Sequence, residues 1–276
     1  KHFNVAIIDE ASQILETQLL GILSATHENN QCGVDKFIMV GDHKQLPAVV
    51  VQRPEQSSVK EDILQQIGLH DCRNSLFERL YNWQLQHPTP NITATLLRQG
   101  RMHPEVGKFA NEHFYHGKLL PVPLQHQQAD IEFKKHGRDL QEYVATTRMG
   151  FLHCDYPQIE ENNKSNRGEA KIVAALVGTI HELCKLNNLP FDAYNRIGII
   201  VPFRGQISMV RQELSRLNIL ETKDITIDTV ERFQGSQRDI IIFTTTISQP
   251  YQLDILSVPV MIEGQLIDRK LNVALT

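Results

Sequence analysis

Residues 5–13, VAIIDEASQ, run four apolar residues straight into Asp9 and Glu10. Two adjacent carboxylates at the C-terminal end of a parallel strand suit metal-assisted phosphoryl chemistry. One holds Mg2+, usually through water, and the other polarises the attacking water. Asp9 is the candidate metal-holding residue and Glu10 the candidate activator of water. A second apolar stretch, IMVGDHKQLP at 38–47, ends in Gly41–Asp42 and presents Gln45, which is placed to touch a γ-phosphate or the lytic water. Each segment alone has a plainer reading: Asp9–Glu10 as an acidic helix cap, Gln45 as an amide bonded to loop backbone. Together, about one helix apart, they point to a nucleotide-driven motor rather than a generic α/β enzyme. His43 and Lys44 read as solvated loop residues.

Three further segments carry polar groups at strand or helix ends. RQGRMHP at 98–104 places Arg101, with Arg98 second, just before Pro104, a good first helical residue. An arginine that reaches a phosphate during transfer is worth about 10³–10⁵ in rate. The plain alternative is a surface pair with Glu105, with Met102 packing and His103 capping. TIDTVERFQGSQRDIII at 226–242 offers the hydroxyls of Thr226 and Thr229 and a Gln-Gly turn, suited to nucleic-acid phosphates; an ordinary β-turn fits the same residues. Val201–Pro202–Phe203 ends another apolar run. Phe203 is either a core residue or a platform on which a base stacks, worth about 1–3 kcal/mol.

The elements that must position these groups follow from periodicity. Apolar runs predict strands at 3–8, 36–40, 92–97, 150–156, 197–203, 224–230 and 239–246. Helical spacing predicts helices at 11–26, across 60–86 as one or two, at 104–115, through 170–180 and at 205–217. Asn166 and Glu169 have capping-box spacing, HPTPN at 87–91 is a breaker, and LNVAL at 271–275 begins a helix or turn. Strands alternate with helices and several are apolar throughout, so the fold expected is α/β with parallel sheets covered on both faces. The stretch 116–148 is polar and irregular and reads as an insertion or connecting lobe, with a small basic cluster at Lys134, Lys135 and Arg138.

Composition bounds the rest. The 276 residues allow one large domain or two ordinary ones, and 41% hydrophobic content is enough for packed cores. A formal charge of −4, from 28 basic and 32 acidic residues, neither requires nor excludes nucleic acid, since a gripping cleft needs only local positive charge. Four cysteines lie scattered without Cys-x-x-Cys spacing, which argues against a zinc site or a disulfide framework. No apolar run approaches the length that spans a bilayer. The expectation is a soluble, cytoplasmic protein with reduced thiols and no membrane partner. Beginning at Lys1 and stopping at LNVALT, the chain reads as part of a longer protein.

Taken in order, these segments resemble the motifs of superfamily 1 helicases, in the branch of the nonsense-mediated-decay RNA helicase and its DNA-processing relatives. VAIIDEASQ is similar to motif II, VGDHKQLP to motif III, and RQGRMHP with FANEHFYHGKL to the Gln-x-Arg-Met-His-Pro segment. IGIIVPFRGQ resembles motif IV, TVERFQGSQRDIII motif V, and LNVALT the start of motif VI. The resemblance implies two RecA-like P-loop NTPase domains with parallel sheets, ATP between them and a single nucleic-acid strand bound across both. Residues 1–100 would be the C-terminal part of the first domain, which is then incomplete, and 101–276 the second, with the insertion near 116–148. It further implies catalytic roles for Asp9, Glu10, Gln45 and Arg101, with Mg2+ on Asp9. ATP contacts would come from Gln99, Arg101, Gly235 and Gln237, and contacts to single-stranded DNA or RNA from Pro202, Phe203, Thr226 and Thr229. The Gly-rich phosphate loop would precede Lys1, so 1–276 alone is expected to hydrolyse nothing. Two positions depart from the family: Gly100 stands where an aromatic often stacks on adenine, and Gln237 where a glutamate often meets the ribose. These departures motivate a second reading, a motor-inactive nucleic-acid or protein-binding module.

Overall fold

The computed structural model describes residues 2–26, 31–155, 164–247, 249–257 and 259–276. The chain divides into two units, Lys1–Leu96 and Leu97–Thr276. Both are mixed α/β with parallel strand pairs.

In the first unit, β1 (Phe3–Ile8) pairs in parallel with β2 (Val34–Met39), from Phe3 opposite Val34 to Ile8 opposite Met39. The helix expected over 11–26 is split into a 3-10 turn at Ala11–Gln13 and α1 (Glu16–Leu23). Leu15 causes the break. It is extended, bridges Ser75 and donates its N–H to the Gln18 side chain at 2.9 Å. Two short helices follow, α2 (Pro54–Ser57) and α3 (Asp62–Gln66), and then α4 (Leu76–Gln86). Ser75 caps α4 by accepting the Glu78 N–H at 3.1 Å, and the chain leaves the helix at His87, where the breaker begins. β1 is less covered than a parallel strand usually is. Phe3, Val5 and Ile7 alternate on one face, and Ile7 is 69% exposed.

Two expected strands do not form among the described residues. Residues 92–97 make no ladder, and Ile92 and Leu96 are exposed. Pairing starts only at β3 (Arg98–Gln99), against β4 (Leu120–Pro121). Residues 150–155 are likewise unpaired, with Phe151 exposed; Tyr156, the end of that expected strand, lies outside the described residues. β-Propensity without a neighbouring strand is not sufficient to make one.

The second unit is built on β5 (Ile197–Ile200), flanked by β6 (Thr226–Asp228) and β7 (Ile240–Phe243), all parallel, in the order β6-β5-β7. Every residue of β5 is buried. Val173, Val177, Ile180 and Leu183 of α8 (Arg167–Leu186) join the same core, as do Val210 and Leu214 of α10 (Arg204–Ser215). The short α9 (Ala193–Arg196) leads directly into β5. Beyond β6 the chain turns into α11 (Val230–Phe233) rather than continuing as strand to Val230.

The polar stretch 116–148 is more ordered than its composition suggests. It holds β4, α6 (Gln125–Gln128) and α7 (Leu140–Thr146). Phe133 and Ala145 are buried in the main core, with Ile131 and Val144 packed against it. Arg196 forms an ion pair with Glu132 that ties this lobe to the entry of β5.

A smaller cluster joins Ala110 and Phe114 of α5 (Pro104–Phe114) to Ile262 and Ile267. These last two belong to an antiparallel hairpin, β8 (Val260–Ile262) and β9 (Gln265–Ile267), entered from α12 (Leu253–Leu256). α13 (Arg269–Leu275) closes the unit. The hairpin was not expected. Its signal was the two-residue turn Glu263–Gly264, both at positive φ (50° and 78°), between apolar runs.

Candidate functional site

The first unit sets Asp9 and Glu10 at the end of β1 beside the loop that follows β2. The two strand ends are laced together. Val40 donates its N–H to Ile8 O at 2.9 Å, and Ala11 donates to Val40 O at 2.8 Å. Ser12 Oγ accepts the Asp42 N–H at 3.2 Å. Glu10 itself sits in the left-handed region at φ 50°, ψ 35°, a conformation that costs a non-glycine residue about 1–3 kcal/mol and concentrates at functional sites. Its N–H is held by Asp9 Oδ1 at 2.9 Å, and Gln13 Nε2 donates to Glu10 Oε2 at 2.8 Å. Each carboxylate therefore has one oxygen engaged in fixing its direction, and both residues are exposed. Gln45 follows in a turn whose N–H reaches Asp42 O at 3.1 Å.

His43 and Lys44 are not the solvated residues expected. Lys44 is 7% exposed, with its N–H on Asp42 Oδ1 at 2.9 Å. The His43 ring packs on Tyr81 of α4 at 4.4 Å between centroids. The loop turns inward because α4 lies behind it.

In the second unit Arg101 stands on a braced loop. Gln99 Oε1 accepts the N–H groups of Arg101 at 3.0 Å and Met102 at 2.8 Å, and its Nε2 donates to Met102 O at 2.9 Å. Gln99, expected to contact the nucleotide, thus has both ends of its amide on its own loop. The alternative pair between Arg101 and Glu105 does not form; Glu105 pairs with Arg148 at 3.5 Å instead. Among the described residues the Arg101 guanidinium makes no hydrogen bond or ion pair, and the residue is exposed. His103 caps α5, Nδ1 accepting the Glu105 N–H at 3.2 Å, and Met102 lies beside Gly107. Both thus take the packing and capping parts read from the sequence. Burial and the Arg148 charge push the His103 pKa down, which keeps Nδ1 free to accept.

The remaining candidates are dispersed over the second sheet. Pro202 is buried and Phe203 half-buried where the chain leaves β5. Thr229 follows the end of β6, and its N–H donates to Asp228 Oδ1 at 2.8 Å. Thr226 is the first residue of β6, opposite Gly198, and its hydroxyl accepts from Arg238 Nη2 at 3.0 Å. Thr226 and Thr229 thus stand at opposite ends of a three-residue strand. Gly235, at φ 79° with open space around it, and Gln237 are exposed in the return from α11 to β7.

Two family models described as AAA domain match the chain, one over residues 72–276 and one over residues 1–53. The chain belongs to the AAA-domain family of superfamily 1 helicases. It is 26% identical to the DNA polymerase alpha-associated DNA helicase A of Saccharomyces cerevisiae, over 99% of this chain and 37% of that protein. It is 31% identical to Regulator of nonsense transcripts 1 of Dictyostelium discoideum, over 98% of this chain and 17% of that protein. Helicase SEN1 of Saccharomyces cerevisiae is 29% identical over 99% of this chain and 11% of its own length. The helicase-family chain therefore spans well under half the length of these relatives.

The parts played by two polar residues of this helicase-family chain escaped the sequence reading. Glu169 does not close a capping box with Asn166. Asn166 Oδ1 does accept the Glu169 N–H at 3.0 Å, but the Glu169 carboxylate takes the Thr244 hydroxyl and the N–H groups of Thr245 and Thr246 (2.5–2.9 Å) at the end of β7. The Asn166 N–H goes instead to the buried Gln206 side chain at 2.8 Å. Gln127 is the other, 2% exposed beneath the Arg101 loop. Among the described residues no helix is long and apolar enough to cross a membrane, and Cys32, Cys72, Cys154 and Cys184 are free thiols.

Proposed function

We propose that this chain supplies working parts of an ATP-dependent helicase or translocase that couples hydrolysis to movement on single-stranded DNA or RNA. The observation that carries the reading is the lacing of the Asp9–Glu10 turn to the Gly41–Gln45 loop, with Glu10 held in a left-handed conformation. Relatives named as helicases support it.

The donor set suits Mg2+ and ATP. Among the described residues no group of three or more His, Cys, Asp or Glu side chains could hold a metal ion. Asp9 would hold Mg2+, a hard cation commonly held by one or two carboxylates, and the ion would supply positive charge to offset that of the phosphates. Asp9 Oδ2 is the oxygen left to hold it, since Oδ1 fixes the Glu10 N–H. Glu10 keeps Oε1 to accept a proton from water, while Gln13 steadies Oε2. Gln45 orients the γ-phosphate or the water, and Arg101 offers its guanidinium to charge on the transferred group. Gly235 and Gln237, both accessible, are the candidates for contacts to the nucleotide, and Phe203 and Thr229 for the strand.

Glu10→Gln in the intact protein tests this. Nucleic-acid-stimulated ATP turnover is expected to fall at least about 100-fold with ATP binding retained. Unchanged turnover would remove Glu10 from its role and the reading with it.

A further inference from the structure

The loop that presents Arg101 is held from outside by two consecutive residues of α6. Gln127 Nε2 donates to the carbonyl oxygens of Gln99 at 3.0 Å and Met102 at 2.9 Å, one on each side of Arg101. His126 Nε2 lies 2.8 Å from the Gly100 carbonyl. Val122 adds an N–H to Gln99 O at 2.9 Å. With the Gln99 side chain on the N–H groups of Arg101 and Met102, the backbone from 99 to 102 is tied on both sides. The Arg101 side chain, in contrast, has no polar partner among the described residues. A fixed base beneath a free guanidinium is the arrangement expected of a group that must meet a reacting phosphate at one position. Misplacement by about 1 Å can cost such a group 10²-fold in rate.

We propose that Gln127, assisted by His126, is a positioning residue for Arg101, so that the polar segment 116–148 acts in catalysis through this clamp. The inference rests on the reading of Arg101 given above. Gln127 contacts neither nucleotide nor strand in this scheme; it acts only through the loop it ties. An amide suits the task because its NH2 group can donate to two carbonyls at once. Burial leaves it no competing water, so the two bonds are not readily exchanged.

Steady-state ATPase assays of the intact protein with single-stranded nucleic acid test it, using Arg101→Ala, Gln127→Ala, His126→Ala and each double variant with Arg101→Ala. The expected result is a kcat about 10–100-fold lower for Gln127→Ala with KM for ATP within about threefold, and a kcat loss of roughly threefold or more for His126→Ala. Neither substitution should lower kcat further once Arg101 is alanine, because residues acting as a unit are not additive. A purely structural role would lower the melting temperature and reduce kcat in both backgrounds. His126 is exposed, so its variant decides the matter if Gln127→Ala does not fold. If Arg101→Ala costs at least 100-fold while His126→Ala and any folded Gln127→Ala keep wild-type kcat, or lose it equally in both backgrounds, the positioning role is overturned and the function stands. If Arg101→Ala itself leaves kcat intact, the reading of Arg101 fails and the inference with it.

Discussion

Arg79 of α4 grips Glu16 of α1 through two parallel bonds, Nε to Oε2 at 2.7 Å and Nη2 to Oε1 at 2.6 Å. Its Nη1 donates to the Ile67 carbonyl at 2.7 Å, so one guanidinium joins both helices and the loop after α3. The side chains are only 11% and 13% exposed, which sets this pair apart from the solvated ion pairs elsewhere on the chain. α1 follows the Asp9–Glu10 turn after the 3-10 turn at Ala11–Gln13, so the pair anchors the element behind the proposed site.

Arg79→Ala would leave a desolvated carboxylate without its partner. The expected loss is about 3 kcal/mol of first-unit stability, read by urea unfolding. Replacing both residues together, as Glu16→Leu with Arg79→Met, should recover most of it, because the cost lies in the orphaned charge. A double variant as unstable as Arg79→Ala alone would show that the contact acts otherwise.

Gly41 allows the two loops of the proposed site to touch. A Cβ added there would lie 2.8 Å from the Ser12 backbone nitrogen, and backbone cannot swing aside as a long side chain can. Gly41→Ala should therefore part the loops, costing about 1–3 kcal/mol and loosening the Asp42 bond to Ser12. ATP turnover should fall with it. Measurement of both would separate the idea from a mere stability effect: unchanged stability and turnover would show that the loops tolerate the parting.

How much of this was visible in the residues depends on what each feature is made of. β1, β2, β5, β6 and β7 announce themselves because runs such as VAII and IGII are continuously apolar, and Asp9, Gly41 and Asp228 lie at or just past the ends of β1, β2 and β6. Their partners are not announced: 92–97 has equal β-propensity and finds no ladder. The lobe at 116–148 hides Ile131, Phe133, Val144 and Ala145 at no regular spacing among polar neighbours, so its core contribution leaves no period to read. Gln127 and Glu169 are harder still. Each serves backbone groups distant in sequence; the capping-box spacing of Glu169 points to a different bond, and no local pattern distinguishes Gln127 from a surface residue. Lys44 misleads for the opposite reason, since its charge predicts exposure while the loop buries it.

Glu169 binds three donors at the end of β7, and its own N–H caps α8 on Asn166. Thr246, one of the three, is itself at φ 54°, so the carboxylate holds a turn that would not otherwise keep its shape. Glu169→Ala should cost the second unit about 2–4 kcal/mol, since three donors lose a charged acceptor. Glu169→Gln keeps an acceptor oxygen for the three donors, which all meet Oε2, but loses the charge, so it should fall between Glu169→Ala and the unaltered protein. Hydrogen exchange at Thr245 and Thr246 is the direct check: protection unchanged in Glu169→Ala would mean that other contacts hold the turn.

Asp71 gives the first unit an acid-side sensitivity of predictable sign. The Arg73 side chain donates from Nε and Nη2 to both carboxylate oxygens, at distances down to 2.6 Å, and the Arg73 N–H adds a bond at 2.9 Å. These bonds hold the Asp71 pKa at about 2, against an ordinary value of 3.8. Because the folded value lies below the unfolded one, the contribution is full above about pH 4 and is lost as pH falls towards 2. Solvent screening limits it to about 1 kcal/mol. Asp71→Asn should therefore lower stability at pH 7 by about that amount and flatten the decline between pH 4 and 2. Asp71 sits where Cys72 returns its N–H to Ser57 at 2.9 Å, so the loss should appear first as loosening of the segment between α2 and α4. An acid-side slope in Asp71→Asn as steep as in the unaltered protein would assign that sensitivity to other carboxylates.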